Sequence, residues 1–204
     1  ELLYEYQLYH NIGSAGRVIG VNSNYSEWLL QSFMGRVAYT LNDRYYLTLT
    51  GRQDCSSRLA PGNKCSFFPS AAVKWRVSDE GFMQNQNLFS EFSLRASIGT
   101  TGNTSIDPYQ TQGGLARTTY SFGGDGAFGY RPNDIANPDL SWEKTDQYDI
   151  GVDLAMFNNR VIATVDGYVQ NTHDLLMERF LPATTGFESV LQNVGETRNK
   201  GIEV

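Results

Sequence analysis

Three aspartates are the first candidates for chemistry. Asp149, Asp153 and Asp166 lie in YDIGVDLAM and VIATVDGYVQ, two runs that alternate polar with apolar residues. Alternation puts one parity on one face of a strand. A type I′ hairpin turning at Asn158 and Asn159 would set Asp153 against Thr164 and Gly151 against Asp166, so the three carboxylates share a face. Glycoside hydrolysis uses two carboxyls about 5 to 9.5 Å apart, with pKa values pushed in opposite directions. No apolar pocket accompanies these aspartates to raise either value. The same residues also read as a hydrated wall with Arg76 or Arg95 among the neighbours.

Other reactive patterns are weaker. Gly124, Gly126 and Gly129 in GGDGAFG fit G-x-G-x-x-G, but no strand precedes and no helix follows to hold a pyrophosphate, so loop flexibility is the simpler role. His10 and His173 are the only histidines and lie far apart, with no zinc-ligand spacing around them. No Ser or Cys has a neighbouring base to activate it. Tyr109, Tyr120, Phe122, Phe128 and Tyr130 cluster among glycines in the longest connection. There they could stack on sugar rings, press on a partner protein, or pack against neighbouring loops.

Stepping outward to the elements, period two dominates. It predicts strands at Phe33 to Thr40, Tyr45 to Arg52, Phe67 to Val77, Phe92 to Gly99, Tyr148 to Met156, Val161 to Gln170 and Leu191 to Val204, with a weaker one at Leu2 to His10. Only Ser78 to Glu91 has room for a helical turn. One parity is apolar, as in Val37, Leu47, Val73, Leu94 and Val152. The other is polar or small and holds Arg36, Arg52, Arg95, Asp149, Asp153 and Asp166. A three-residue loop at Leu41 to Asp43 would oppose Tyr39 to Tyr45, Val37 to Leu47 and Arg36 to Thr48, again matching like with like.

The connections alternate in length. Those at Leu41 to Asp43 and Asn158 to Asn159 are short, whereas Cys55 to Ser66, Thr100 to Lys144 and Glu178 to Val190 are long and rich in Gly, Pro and Ser; Ser78 to Glu91 falls on the short side without being short. A membrane barrel sorts its loops by end in this way, and a soluble sandwich has no reason to. Tyr39, Tyr45, Trp75, Phe92 and Phe157 gather near the short-turn ends, where an aromatic belt would meet lipid headgroups. A net charge of -6 without a basic stripe argues against a nucleic-acid partner. No segment is long and apolar enough for a transmembrane helix, a test that barrels escape.

Longer phrases then carry a resemblance. LQSFMGRVAYTLNDRYYLTLTGRQDCSSRLAPGNKCSFFPSAAVKWRVSDEGFM, LRASIGTTGNTSIDPY, NPDLSWEKTDQYDIGVDLAMFNNRVIATVDGYVQNTHDLLM and LPATTGFESVLQNVGETRNKGIEV resemble the C-terminal barrel region of SusC/RagA-type TonB-dependent outer-membrane transporters of Bacteroidota. The resemblance implies an all-β fold: an antiparallel, up-and-down transmembrane β-barrel segment over residues 1–204, roughly a third of a large barrel of about 22 strands with a plugged lumen. On this reading the chain is a fragment, and the plug, the TonB-contacting region and the remaining strands lie elsewhere in the parent.

The implied function is active import of oligosaccharides or peptides across the outer membrane, not catalysis, and no cofactor is implied. The implied partners are TonB, a SusD-like surface lipoprotein, outer-membrane lipid and the cargo. The polar parity would then line a wet lumen, and the loop aromatics would meet ligand or lipoprotein. Cys55 and Cys65 depart from the family, whose members usually carry Gly and an aromatic there. They flank one outward loop in an oxidising location, which favours a cross-loop disulfide over two free thiols. The alternative from another class is a secreted β-sandwich acting as a carbohydrate-binding module, with Leu47, Val73 and Leu94 buried against a second sheet.

Overall fold

The computed structural model describes residues 25–83 and 85–204, so the strand expected at Leu2 to His10 lies outside the described residues. Eleven strands follow in order: β1 Leu30–Leu41, β2 Tyr45–Ser56, β3 Cys65–Arg76, β4 Phe89–Asn103, β5 Leu115–Phe122, β6 Asp125–Pro132, β7 Glu143–Met156, β8 Val161–His173, β9 Leu176–Phe180, β10 Ser189–Asn193 and β11 Glu196–Glu203. Seven form one antiparallel sheet in the order β1-β2-β3-β4-β7-β8-β11. The pairs β5–β6 and β9–β10 are separate hairpins within its long connections. Among the described residues the sheet is not closed, and β1 and β11 are its edges.

Register keeps the two parities apart across all seven strands. One continuous rung runs Val37, Leu49, Ala71, Ile98, Tyr148, Val169, Lys200. The apolar band crosses such rungs obliquely. On β1 to β3 it rises past Gly35, Gly51 and Pro69 to Phe33 and Phe67, whereas the rung above Ile98 already carries Thr100, Asp146, Asn171 and Arg198. A level apolar belt on strands tilted to the barrel axis produces this drift. Nothing packs on the band among the described residues: Val37 is 66% and Ile150 69% exposed. The second sheet that a sandwich would need against Leu47, Val73 and Leu94 is therefore missing from the described residues, and the antiparallel barrel wall is the architecture present.

Three expectations about local structure change. The β1–β2 loop is Asn42 to Arg44, not Leu41 to Asp43, so Tyr39 faces Leu47, Val37 faces Leu49 and Arg36 faces Thr50. Asn42 and Asp43 take left-handed φ values of 52° and 53°, a conformation Asn and Asp tolerate well. A two-residue slip preserves both faces. At β7–β8 the expected register is found, with Asp153 opposite Thr164 and Gly151 opposite Asp166. The turn is wider than type I′, because Phe157, Asn158 and Asn159 are all left-handed and Arg160 N–H donates to Met156 O. Finally, Leu191 to Val204 is not one strand. Gly195 at φ 84° breaks it, and β10 pairs with β9 while β11 joins the main sheet.

The ends of the sheet differ as loop length suggests. At the short end a 3₁₀ turn, Val77–Asp79, follows β3 and overlaps the stretch Ser78 to Glu91, and a second, Ala183–Thr185, lies in the β9–β10 connection, where the sequence predicts no helical turn. Tyr45 and Trp75 stack at the short end with ring centroids 6.3 Å apart. Both donate to Glu80 Oε1, from Tyr45 Oη at 2.6 Å and Trp75 Nε1 at 3.1 Å. Each ring thus keeps an apolar body and a satisfied polar tip. At the long end lies the apolar core: Leu59, Phe68, Ile106, Leu140 and Trp142. Phe68 belongs to the polar parity, so the long connections fold over the polar side of the sheet.

Candidate functional site

The polar face is an ordered network. Arg95 on β4 donates from Nε to Asp153 Oδ2 at 2.9 Å and from Nη2 to Asp153 Oδ1 at 3.0 Å and Asp166 Oδ1 at 2.9 Å, reaching across β7 to β8. Gly151 stands opposite Arg95 and Asp166 in the register. A side chain there would overlap the Asp166 carboxylate and approach Arg95 Nη2 to 2.8 Å. Glycine is what lets the guanidinium cross the strand. Lys74 adds ion pairs to Glu91 at 3.4 Å and Asp153 at 3.7 Å. Asp149 accepts from Ser97 Oγ at 3.1 Å and Gln147 Nε2 at 3.0 Å. The network borders an open cavity of about 310 Å³ lined by Tyr46, Thr48, Lys74, Arg95, Asp149 and Asp166 among others.

One guanidinium bridges Asp153 and Asp166, and Asp153 is paired with Lys74 as well. The arrangement is an ion-paired polar wall. Arg36 shares this face across from Thr50. Arg52 pairs with Asp54 at 2.7 Å, its guanidinium 5.9 Å from the centre of the Phe68 ring.

The five loop aromatics do not form one cluster. Tyr109 sits in a turn of the β4–β5 connection, at φ 69°, its hydroxyl accepting from Glu27 N–H at 3.4 Å. The other four stand on the β5–β6 hairpin, turned by Gly123 and Gly124 at φ 61° and 98°. Tyr120 and Phe122 occupy one face, Phe128 and Tyr130 the other, and all four are exposed. Arg117 lies 3.5 Å from the Phe128 ring centre. Gly126 and Gly129 are therefore strand residues rather than flexible loop. The Tyr120 ring passes 3.1 Å from where a Gly129 Cβ would stand.

Cys55 and Cys65 face each other at the long-loop end of β2–β3, Cα atoms 4.0 Å apart, with their sulfurs bonded. That spacing is below the roughly 7 Å beyond which no bridge forms.

Sequence reasoning missed the loop core and both extra hairpins. Their signals were present. LARTTYSF and AFGY alternate around GGDG, the pattern of a tight hairpin. Leu140 and Trp142 are apolar residues in what reads as a polar loop, with Trp142 Nε1 donating to Lys64 O at 3.0 Å.

An antiparallel wall with an uncovered apolar face, a charged hydrated face, aromatics at the short-turn end and long loops at the other defines a membrane-spanning β-barrel. Residues 2–204 match the family model described as TonB dependent receptor-like, beta-barrel, and the chain belongs to that family of outer-membrane proteins. It is 46% identical over 183 residues to TonB-dependent receptor P26 of Formosa agariphila, covering 90% of this chain and 18% of that protein. It is 35% identical over 182 residues to TonB-dependent receptor SusC of Bacteroides thetaiotaomicron, covering 85% of this chain and 18% of SusC. Among solved structures, the RagAB peptide transporter superposes with a TM-score of 0.80 at 36% identity, over 87% of this chain and 19% of that one. The chain thus spans about a fifth of the proteins it matches.

Proposed function

We propose that the chain is the C-terminal wall of a TonB-energised importer that carries oligosaccharides or peptides through the outer membrane, with a SusD-like lipoprotein at its outer mouth. The observation that carries this reading is the inversion of the sheet: apolar residues outward, and a lumen side lined by the Arg95–Asp153–Asp166 network beneath a folded loop layer. The names of the relatives support it, since SusC is a TonB-dependent receptor and RagAB a peptide transporter. In the full-length protein the lumen wall guides a polar solute. The long loops, including the β5–β6 hairpin with Tyr120, Phe122, Phe128 and Tyr130, meet lipoprotein and cargo.

Whole-cell uptake of labelled glycan and peptide mixtures tests the proposal. Deleting the gene or TonB should abolish uptake of the same fraction, and a lipoprotein should co-purify with the tagged parent. Uptake that persists without TonB would overturn the reading.

A further inference from the structure

A second, separate groove lies in the loop layer. We infer that it is a cargo subsite for an uncharged, polyhydroxylated sugar chain, an assignment that rests on the transporter reading and narrows its cargo. The groove has a volume of about 350 Å³ and runs between the β4–β7 connection and the β9–β10 hairpin. Asp107, Tyr109, Gln110, Gln112, Asp134 and Glu178 stand around it, over a floor that includes Ile135 and Val190. This is the small end of ordinary ligand pockets, about 300 to 1,000 Å³, suited to a residue or two of a longer chain.

Hydrogen bonds join the two walls before any ligand arrives. Asn137 Nδ2 donates to Leu191 O at 2.7 Å. Ser141 N–H donates to Asn193 Oδ1 at 2.8 Å, and Asn193 Nδ2 returns a bond to Ser141 O at 2.9 Å. A preformed site loses less entropy on binding. Gly113 and Gly114 keep one side open: a Cβ on Gly114 would stand 2.7 Å from Asp134 Oδ2, and Gly113 is left-handed at φ 75°. Backbone and carboxylate meet where a side chain would fill the groove.

The lining selects by chemistry. Among the described residues no lysine or arginine lines it, while Asp107, Asp134 and Glu178 do, so an anionic chain finds no countercharge there. Carboxylates alone would suit a cation, but this set mixes acceptors with donors. Gln110 spends its Oε1 on Asp107 N–H at 3.1 Å and keeps its amide hydrogens for a ligand. Gln112, able both to donate and to accept, also lines the groove, as does Ser189, whose hydroxyl donates to Glu178 Oε2 at 3.3 Å and keeps its acceptor lone pairs. A sugar hydroxyl does both as well, whereas an ammonium only donates. Tyr109 and the apolar floor offer surfaces for the C–H faces of a sugar ring. Among the described residues no three acidic, His or Cys side chains converge as metal ligands, which fits an extended chain better than an ion.

The test is calorimetric titration of the full-length transporter in detergent with uncharged hexasaccharides (gluco-, manno- and xylo-configured), a lysine-containing hexapeptide and an oligogalacturonate. At least one neutral hexasaccharide should bind. Gln112→Ala and Tyr109→Leu should each weaken it by about tenfold, the loss of one good contact. Glu178→Gln should change it less than about threefold, because an amide still accepts the hydroxyl hydrogen bond. Should Tyr109→Leu fail to form the heat-modifiable barrel, Gln112→Ala and Gly114→Val carry the test, the latter by blocking the groove. Binding of the lysine peptide alone, abolished by Glu178→Gln, would overturn the assignment. So would failure of every neutral sugar, or sugar binding indifferent to Gln112→Ala and Gly114→Val. Each of these leaves TonB-dependent uptake intact, so the subsite and the transporter reading fail separately.

Discussion

Glu80 is the residue that ties the stacked Tyr45 and Trp75 rings to the short-end turn. Its carboxyl is held below the usual carboxylate value of 4.5, first by the Tyr45 hydroxyl, then by the Trp75 indole N–H and the Arg44 charge. A folded-state value below the unfolded one stabilises above the ordinary carboxylate range, and that contribution fades as pH falls through the lowered folded value. The melting-temperature gap between the full-length wild type and Glu80→Gln should therefore be full at pH 7 and close below about pH 4.5. A gap that persists in acid would show that the two tethered rings, not the charge, carry the effect. At the opposite end, the Cys55–Cys65 bridge closes a loop with a sequence separation of 10, worth about 2 to 3 kcal/mol in the chain-entropy account. Non-reducing mass spectrometry of the parent should recover the two cysteines in one linked peptide, and the double Ser variant should be cut faster within residues 57–64. Free thiols in the unreduced protein would sink that assignment. The polarity of Arg95, Asp153 and Asp166 was plain from the sequence. That one arginine serves both aspartates depended on Gly151, whose missing side chain signals nothing until the strands are paired.

At the scale of the element, period two did most of the work. The strands at Phe33 to Thr40 and Tyr45 to Arg52 lie inside the observed β1 and β2, and the like-with-like facing holds from β1 to β8, whereas Leu191 to Val204 divides into β10 and β11. Boundaries and turns were less legible. Asn42 and Asp43 are good left-handed residues, but that does not say whether Leu41 or Arg44 completes the loop, and a slip of two costs no change of face. The two-faced wall makes a strong prediction. Lysine at Leu94 or Ile150, on the lipid side, should cost about 2 to 4 kcal/mol near the bilayer midplane and reduce the heat-modifiable barrel recovered from outer membranes. Lysine at Thr48, across the same wall, should be tolerated. Equal loss from both sides would mean that the apolar face is not the lipid face. The β5–β6 hairpin escaped because its alternation is interrupted by Gly126 and Gly129, which read as loop until the Tyr120 ring is seen lying over Gly129.

For the molecule as a whole, the folded core lies in the loop layer and not behind the wall. Leu59 and Leu140 are essentially fully buried, Trp142 is 4% exposed, and the Trp142 and Phe68 rings meet edge to face at 5.3 Å. Truncating such a side chain removes about 3 to 5 kcal/mol from the unit that holds it. Trp142→Ala should accordingly loosen the loops to protease while the parent still assembles as a heat-modifiable barrel. Coincident loss of both would make wall and loops one cooperative unit. The sequence alone determined the two-faced wall and the sorting of loops by length, because strand alternation and turn chemistry are local and repeat along the chain, and its longer phrases carried the resemblance to the family. Only the tertiary structure decided which long connections meet, that Phe68 turns from the lumen face into a core beneath Trp142, and that a groove opens between the β4–β7 connection and β9–β10. Those depend on side chains dozens of residues apart, such as Asn137 against Leu191 and Ser141 against Asn193, whose pairing follows from how the paired strands place their connections and from no period in the sequence.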